Sequence, residues 1–328
     1  MPYFNSLNAL AFAVMTATLL TACGGSSDNT PMPSTPSKNP TPVPTPNSQT
    51  MTLNFKALAG ATPIACDGDI ANLGTKATTA KLADLHFYVS NIQLLKSDGS
   101  SVPLTLTSDG KYFYHQDGVV PVNVAMIDLE NNYGSCNNSA NDKDMNSKIT
   151  GTVPTGNYVG LSYDIGVPES VNHIDTSKAP APLDHAGLSW NWQAGKKFLK
   201  VELKPATGVN RPATATSPAT TATTYMLHLG STGCVGNPVT GEATICSNPN
   251  RMPVKFANFN PNTQSIGVDI LGLFKNSDIS LDNGGAMGCM SGMNDPECGG
   301  LFDAMGLQLS TGLPATNANQ SVFSPVNN

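Results

Sequence analysis

From Gly156 to Gly166 the chain alternates without a break. Val159, Leu161, Tyr163 and Ile165 share one face, and Gly160, Ser162 and Asp164 share the other. A period of two is the signature of a strand with one buried face. The same alternation recurs in Leu85–Val89, Val102–Leu106, Val122–Glu130, Leu199–Leu203, Tyr225–Leu229 and Ile266–Ile270, with turn signals such as Ser97-Asp98-Gly99 between them. So many short strands bury their apolar faces only by stacking sheets. The expectation is an all-β fold, with a β-sandwich-like core, long loops, a short C-terminal helix and three disulfides. The helix should start at Asp295-Pro296-Glu297 and bury Leu301, Phe302 and Met305 on one face.

Only 12% of the residues are charged and the net charge is -6. That balance supports neither a nucleic-acid footprint nor a polybasic membrane patch. The apolar run Leu7–Leu20 is too short to span a bilayer and ends in Leu20-Thr21-Ala22-Cys23, which looks like a bacterial lipobox, although no Lys or Arg precedes it. On this reading residues 1–22 are a lipoprotein signal peptide and Cys23 is acylated. Residues 23–50, rich in Pro, Thr and Ser, form a disordered tether. The folded domain spans 51–328, and the protein is expected to sit in the bacterial cell envelope, held by its lipid to the outer membrane on its periplasmic or surface face.

Six cysteines then remain: Cys66, Cys136, Cys234, Cys246, Cys289 and Cys298. An even set in an oxidising compartment suggests three disulfides. Proximity in sequence favours Cys234 with Cys246 and Cys289 with Cys298, leaving Cys66 with Cys136. None has the C-x2-C spacing of a structural zinc site.

The stretch between the strand ending at Gly166 and the strand beginning at Leu199 is a long excursion carrying His173, His185, Trp190 and Trp192. His228 and Cys234 follow one strand later. Loops held by a rigid sheet collect binding residues, and imidazoles suit copper and zinc alike. Read as a strand, Trp190 and Trp192 project together with Leu188, which equally fits core packing or a sugar-stacking platform. His86, opposite Leu85, Phe87 and Val89, reads as an outward or inter-sheet polar residue, and His115 is ambiguous. Asp128 and Glu130 share a face and read as a solvated or capping pair. Residues 205–224 read as a mobile surface loop. Met287, Met290 and Met293 fit either a soft metal site or core.

Several motifs occur in order: Leu-x-Asp-Leu-x-Phe-Tyr-Val-Ser-Asn at Leu82–Asn91, Gly-Val-Pro-Glu-x-x-Asn-His at Gly166–His173, Pro-Leu-x-His and Trp-x-Trp-Gln-x-Gly within Pro182–Gly195, His-Leu-Gly-Ser-Thr-Gly-Cys at His228–Cys234, and Gly-Cys-Met-Ser at Gly288–Ser291. From about Leu53 onward the chain therefore resembles the MbnP-type family, the four-Cys members of the metallo-mystery pair. The site of that family is related to those of MopE and CorA.

The resemblance implies a non-enzymatic, exported Cu(I)-binding protein. Its site would use two histidines and a kynurenine made from tryptophan by a di-haem cytochrome c peroxidase-like partner. Carried onto this sequence, His173 and His228 are the ligands, His185 is a third or a replacement, and either Trp190 or Trp192 is the residue oxidised. Lys196 stands where the family usually has an aromatic residue. A surface glycan-binding or adhesion module using the tryptophan pair is the competing reading.

Overall fold

The computed structural model describes residues 47–328 except 139–142, 192–194, 238–241, 243 and 317–318. Cys23, the signal segment, most of the tether and Trp192 lie outside the described residues. The chain runs through β1 (Ser48–Ala59), β2 (Thr62–Pro63), β3 (Asp69–Leu73), β4 (Thr78–Leu95), β5 (Ser101–Pro103), β6 (Phe113–Gln116), β7 (Val122–Asp128) and β8 (Lys148–Pro154). It continues with β9 (Gly160–Ile165), α1 (Glu169–Asn172), β10 (Leu199–Pro205), β11 (Val209–Arg211), β12 (Thr220–Ala222) and β13 (Tyr225–Leu229). Last come β14 (Thr232–Val235), β15 (Ile245–Asn248), β16 (Met252–Phe256), β17 (Gln264–Asp269), α2 (Ile270–Phe274), α3 (Cys298–Met305) and β18 (Phe323–Asn327).

The fold is mostly β, its sheets curled into a sandwich-like arrangement. A nine-stranded sheet has the central order β13-β10-β4-β7-β6, and a five-stranded sheet has β18-β17-β1-β2 with β8 also on β1. The apolar alternation decides which faces meet. Leu85, Phe87 and Val89 of β4 are fully buried, and Phe87 meets Phe55 of β1 and Phe323 of β18 edge-on at 5.5 and 5.6 Å between ring centroids. Edge-to-face aromatic packing suits the ring quadrupoles. Burying one such side chain contributes roughly 1.5–3 kcal/mol.

Disulfides join Cys66–Cys136, Cys234–Cys246 and Cys289–Cys298. Helix α3 follows Pro296 and ends at Gly306 (φ 70°), where a left-handed residue closes the last turn. It buries Leu301, Phe302 and Met305. The stretch 205–224, expected as a mobile loop, instead contains the β11–β12 hairpin, whose strands pair through their backbones.

One backbone position anchors the long excursion. Strands β9 and β10 pair end to end along the same edge of β4, with Ile165 opposite Val89 and Leu199 opposite Phe87. Between them, the Tyr88 amide donates to the Phe198 carbonyl and the Tyr88 carbonyl accepts from the Gly166 amide, both at 2.9 Å. The Tyr88 hydroxyl then donates to Pro182 O at 2.9 Å, deep in the same loop. A buried Tyr with its hydroxyl satisfied is a strong tie. Tyr88 thus clamps both ends and the middle of residues 166–198.

Candidate metal centre

The loop lies over the face of β4 that points away from the aromatic core. That face carries Asp84, His86, Tyr88 and Ser90, every one fully buried. Register extends the polar pattern sideways. His228 of β13 pairs with Lys200 of β10, Lys200 with His86, and His86 with Asp128 of β7, while Glu202 pairs with Asp84 one step along. Side chains on one face of adjacent strands lie within reach of each other.

The result is a chain of alternating charges. His228 Nε2 lies 2.8 Å from Glu202 Oε1, Lys200 Nζ donates to Asp84 and lies 3.5 Å from Glu202, and His86 Nδ1 donates to Asp84 Oδ1 at 2.7 Å. On its other side His86 Nε2 lies 3.2 Å from Asp128 Oδ2 and 4.0 Å from Glu130 Oε1. Burial by itself depresses an imidazolium, but the charge of Asp84 and the contacts with Asp128 and Asp84 outweigh it, holding His86 at about 10. Burial acts the same way on Lys200 and is outweighed by Asp84 and Glu202, which raise it. Burial alone would raise Glu202, but the hydrogen bond from His228 and the charge of Lys200 bring it down. At His228 burial prevails, with the charges of Lys197 and Lys200 reinforcing it and Glu202 offsetting it in part. His228 is therefore neutral at pH 7. With Nε2–H donated to Glu202, its Nδ1 carries the lone pair a metal needs.

His173 follows α1 and is 6% exposed. Its Nε2 lies 3.1 Å from Asn172 Nδ2, 3.3 Å from Cys246 Sγ and 3.8 Å from Glu169 Oε1. Both sulfurs of the Cys234–Cys246 bond are spent in the disulfide, so the imidazole is the strong donor of that corner. His185 is half-buried, and its ring tilts against that of His86, with centroids 5.6 Å apart. Among the described residues, no group of three or more closely spaced metal-capable side chains contains two of His173, His185 and His228. The closely spaced groups are His173 with Cys234 and Cys246, Cys66 with Glu130 and Cys136, and Asp84 with His86 and Glu130.

The tryptophan does not sit on a strand. Ala186–Leu188 is a 3-10 turn, Trp190 N donates to Gly195 O, and Gly195 N returns the bond to Asn191 O, so the chain folds back tightly after Trp190. The half-buried Trp190 ring lies against Gly230, where a Cβ would sit 2.5 Å from Cζ3 and 2.7 Å from Lys196 O. Only hydrogen fits there. Trp190, Asn191, Ser231–Cys234 and Met290 line an open cavity of about 560 Å³. Met293, by contrast, is exposed, so the three methionines do not share one environment.

The motifs now have mechanical reasons. Within His228–Cys234, His228 meets Glu202, Gly230 admits Trp190, Ser231 Oγ accepts from Asn172 Nδ2 at 3.5 Å, and Cys234 bonds to the cysteine that touches His173. In Gly288–Ser291, Cys289 pairs with the β13 backbone, and Ser291 Oγ donates to His228 O and accepts from Gly230 N. Lys196 is buried and ties the loop by donating to Ile174 O, Thr176 Oγ1 and Ser189 Oγ at 3.0–3.2 Å. Burial brings its ammonium down to about 8.

Two expectations are narrowed. Asp128 and Glu130 are not solvated, at 1% exposed each, but capping residues, Asp128 Oδ1 accepting from Glu130 N and Glu130 Oε2 from Asn132 N, and His86 is not outward but 0% exposed. A strand face alternating with apolar residues looks the same whether water or a loop covers it. The pattern that carries the difference is Asp84-x-His86, Asp128-x-Glu130, Lys200-x-Glu202 and His228, complementary polar residues brought side by side on adjacent strands.

The MbnP family profile matches residues 48–291. Among solved structures, the chain is similar to MbnP from Methylosinus trichosporium at 35% identity and a TM-score of 0.76, over 86% of this chain and 99% of that one. No curated protein matches it. With the family profile covering most of the folded domain and the fold aligned at that identity, this chain belongs to the MbnP family.

Proposed function

We propose that this protein is an exported lipoprotein, anchored at Cys23 in the outer membrane, that binds Cu(I) and serves copper acquisition or handling rather than catalysis. His173 and His228 are its imidazole ligands, and Trp190 or Trp192, converted to kynurenine by a di-haem cytochrome c peroxidase-like partner, supplies a third nitrogen. Opening the indole leaves an aryl amine that can ligate, where the indole N–H can only donate. When bound, Cu(I) favours a low-coordinate set of soft or borderline nitrogen donors.

The observation that supports this most is the neutral His228, with one ring nitrogen held by Glu202, on the segment that also seats Trp190 and leads to the disulfide beside His173. A carboxylate behind a ligating histidine fixes its tautomer. His185, tilted onto His86, is the weaker candidate for this set.

Peptide mass analysis of protein from its native host tests the modification. Loss of one carbon and gain of one oxygen on Trp190 or Trp192 is expected, and two unmodified tryptophans would remove the kynurenine. A Cu(I) competition titration tests the ligands: His173→Ala and His228→Ala should each abolish tight binding. Unchanged titrations would favour the sugar-stacking alternative.

A further inference from the structure

The copper reading uses the Cys234–Cys246 bond only as a neighbour of His173, yet that bond is placed unlike the other two disulfides. Cys136, Cys289 and Cys298 are fully buried, so each of the other bonds has at least one sealed end. Cys234 and Cys246 are both half-buried, and they face each other across the β14–β15 hairpin, which forms a two-stranded sheet of its own. Cys234 also lines the open cavity of about 560 Å³ that Trp190 and Met290 share. Thiol–disulfide exchange needs a thiolate to reach one sulfur of the bond, so the accessible disulfide is the one that exchanges. At its other end, Cys246 Sγ lies 3.3 Å from His173 Nε2. His173, Cys234 and Cys246 place one donor atom each within 4.8 Å of one another.

We propose that the Cys234–Cys246 disulfide is a redox gate on copper: when a dithiol reduces it, Cys234 and Cys246 join His173 in a site of two thiolates and one imidazole for Cu(I). The gate rests on the reading of His173 as a copper ligand. In the reduction the S–S bond breaks, two electrons and two protons pass from the dithiol, which leaves as its own disulfide, and two S–H groups form. Cu(I) then displaces both protons and binds the two thiolates. Thiolate is a softer donor than imidazole and selects Cu(I), so the reduced corner holds the ion more tightly than the oxidised one. Exchange with an oxidised disulfide reverses the step. Its sulfurs take up two electrons and two protons, the Cys234–Cys246 bond closes, and Cu(I) is left to the imidazoles.

The experiment treats the folded, full chain anaerobically with graded dithiothreitol and follows each bond by alkylation and peptide mass mapping. After desalting, Cu(I) affinity is read by competition with bicinchoninate. Cys234–Cys246 should open at a dithiothreitol concentration about tenfold or more below that needed for either other bond, and affinity should then rise by about a hundredfold or more. The double variant Cys234→Ser, Cys246→Ser should show no rise under the same treatment, and His173→Ala a smaller one. His228→Ala should lose binding in the oxidised state and still gain it on reduction, so failure of the two-histidine copper assignment and failure of the gate give different results. Another disulfide opening first, no rise in the wild type, or an equal rise in the serine variant overturns the gate. Should the serine variant not fold, X-ray absorption of the reduced, copper-loaded wild type decides. Two sulfurs around copper support the proposal, and nitrogen alone overturns it.

Discussion

The two faces of β4 are equally dry and differ in every other respect. Leu85, Phe87 and Val89 look into an aromatic core, while Asp84, His86 and Ser90 look into a covered polar layer, and all six have no exposed surface. The apolar face is held by many small, interchangeable contacts. The polar face depends on particular partners, because a buried charge that loses its counterpart cannot be rehydrated. A fold can therefore tolerate drift on one side of a strand and almost none on the other.

The comparison yields its largest prediction at Asp84, which holds both His86 and Lys200. Asp84→Ala strands two buried cations and should cost about 3–5 kcal/mol. Leu85→Ala, on the neighbouring position of the opposite face, should cost about 3 kcal/mol through the cavity it leaves. Urea unfolding of the two variants checks this, and a costlier Leu85→Ala would reverse the ranking of the faces.

Next in size is Gly230→Ala, which forces a Cβ into the Trp190 ring and the Lys196 carbonyl. Overpacking of this kind costs roughly 1–3 kcal/mol. Trp190 fluorescence should shift in the folded state, whereas an unshifted spectrum with full stability would show that the ring is not seated there.

The polar face should also be the one that feels pH. His86 is raised in the folded state from 6.5 to about 10, so its stabilisation is complete below pH 6.5 and is lost as pH rises toward 10. Lys196 acts oppositely. Its folded value is lowered from 10.5 to about 8, so deprotonation there favours the folded state between pH 8 and 10.5. The unopposed window is therefore pH 6.5 to 8, where metal-free protein should lose at most about 1.4 kcal/mol per pH unit. His86→Gln should flatten the slope, and a wild type already flat would place a neutral imidazole in the cluster.

How far the sequence discloses these layers follows from what alternation encodes. Period two gave the strands, the sandwich and the long excursion, because an apolar face must find another apolar face. The nearness of the later cysteines pointed to two of the pairings. What covers the second face was not legible, since Asp128 and Glu130 have the same spacing under solvent as under a loop. The clamp at Tyr88 was hidden for a related reason: its amide and carbonyl do the holding, and backbone groups leave no residue-specific trace. The seat of Trp190 on Gly230 joins positions 40 apart in a tight turn that strand spacing does not describe.

The smallest expected effect lies where the polar layer meets the proposed copper ligand. Glu202 holds His228 Nε2 at 2.8 Å and also meets Lys200. Glu202→Gln keeps the side-chain shape and an acceptor oxygen, and Lys200 keeps Asp84, so folding should change little. The amide is a weaker partner than the carboxylate, so the histidine loses basicity and orientation together. Cu(I) affinity in a competition titration should fall by about tenfold, which is about 1.4 kcal/mol at the ligand. An unchanged affinity would mean that Glu202 serves the charge chain alone.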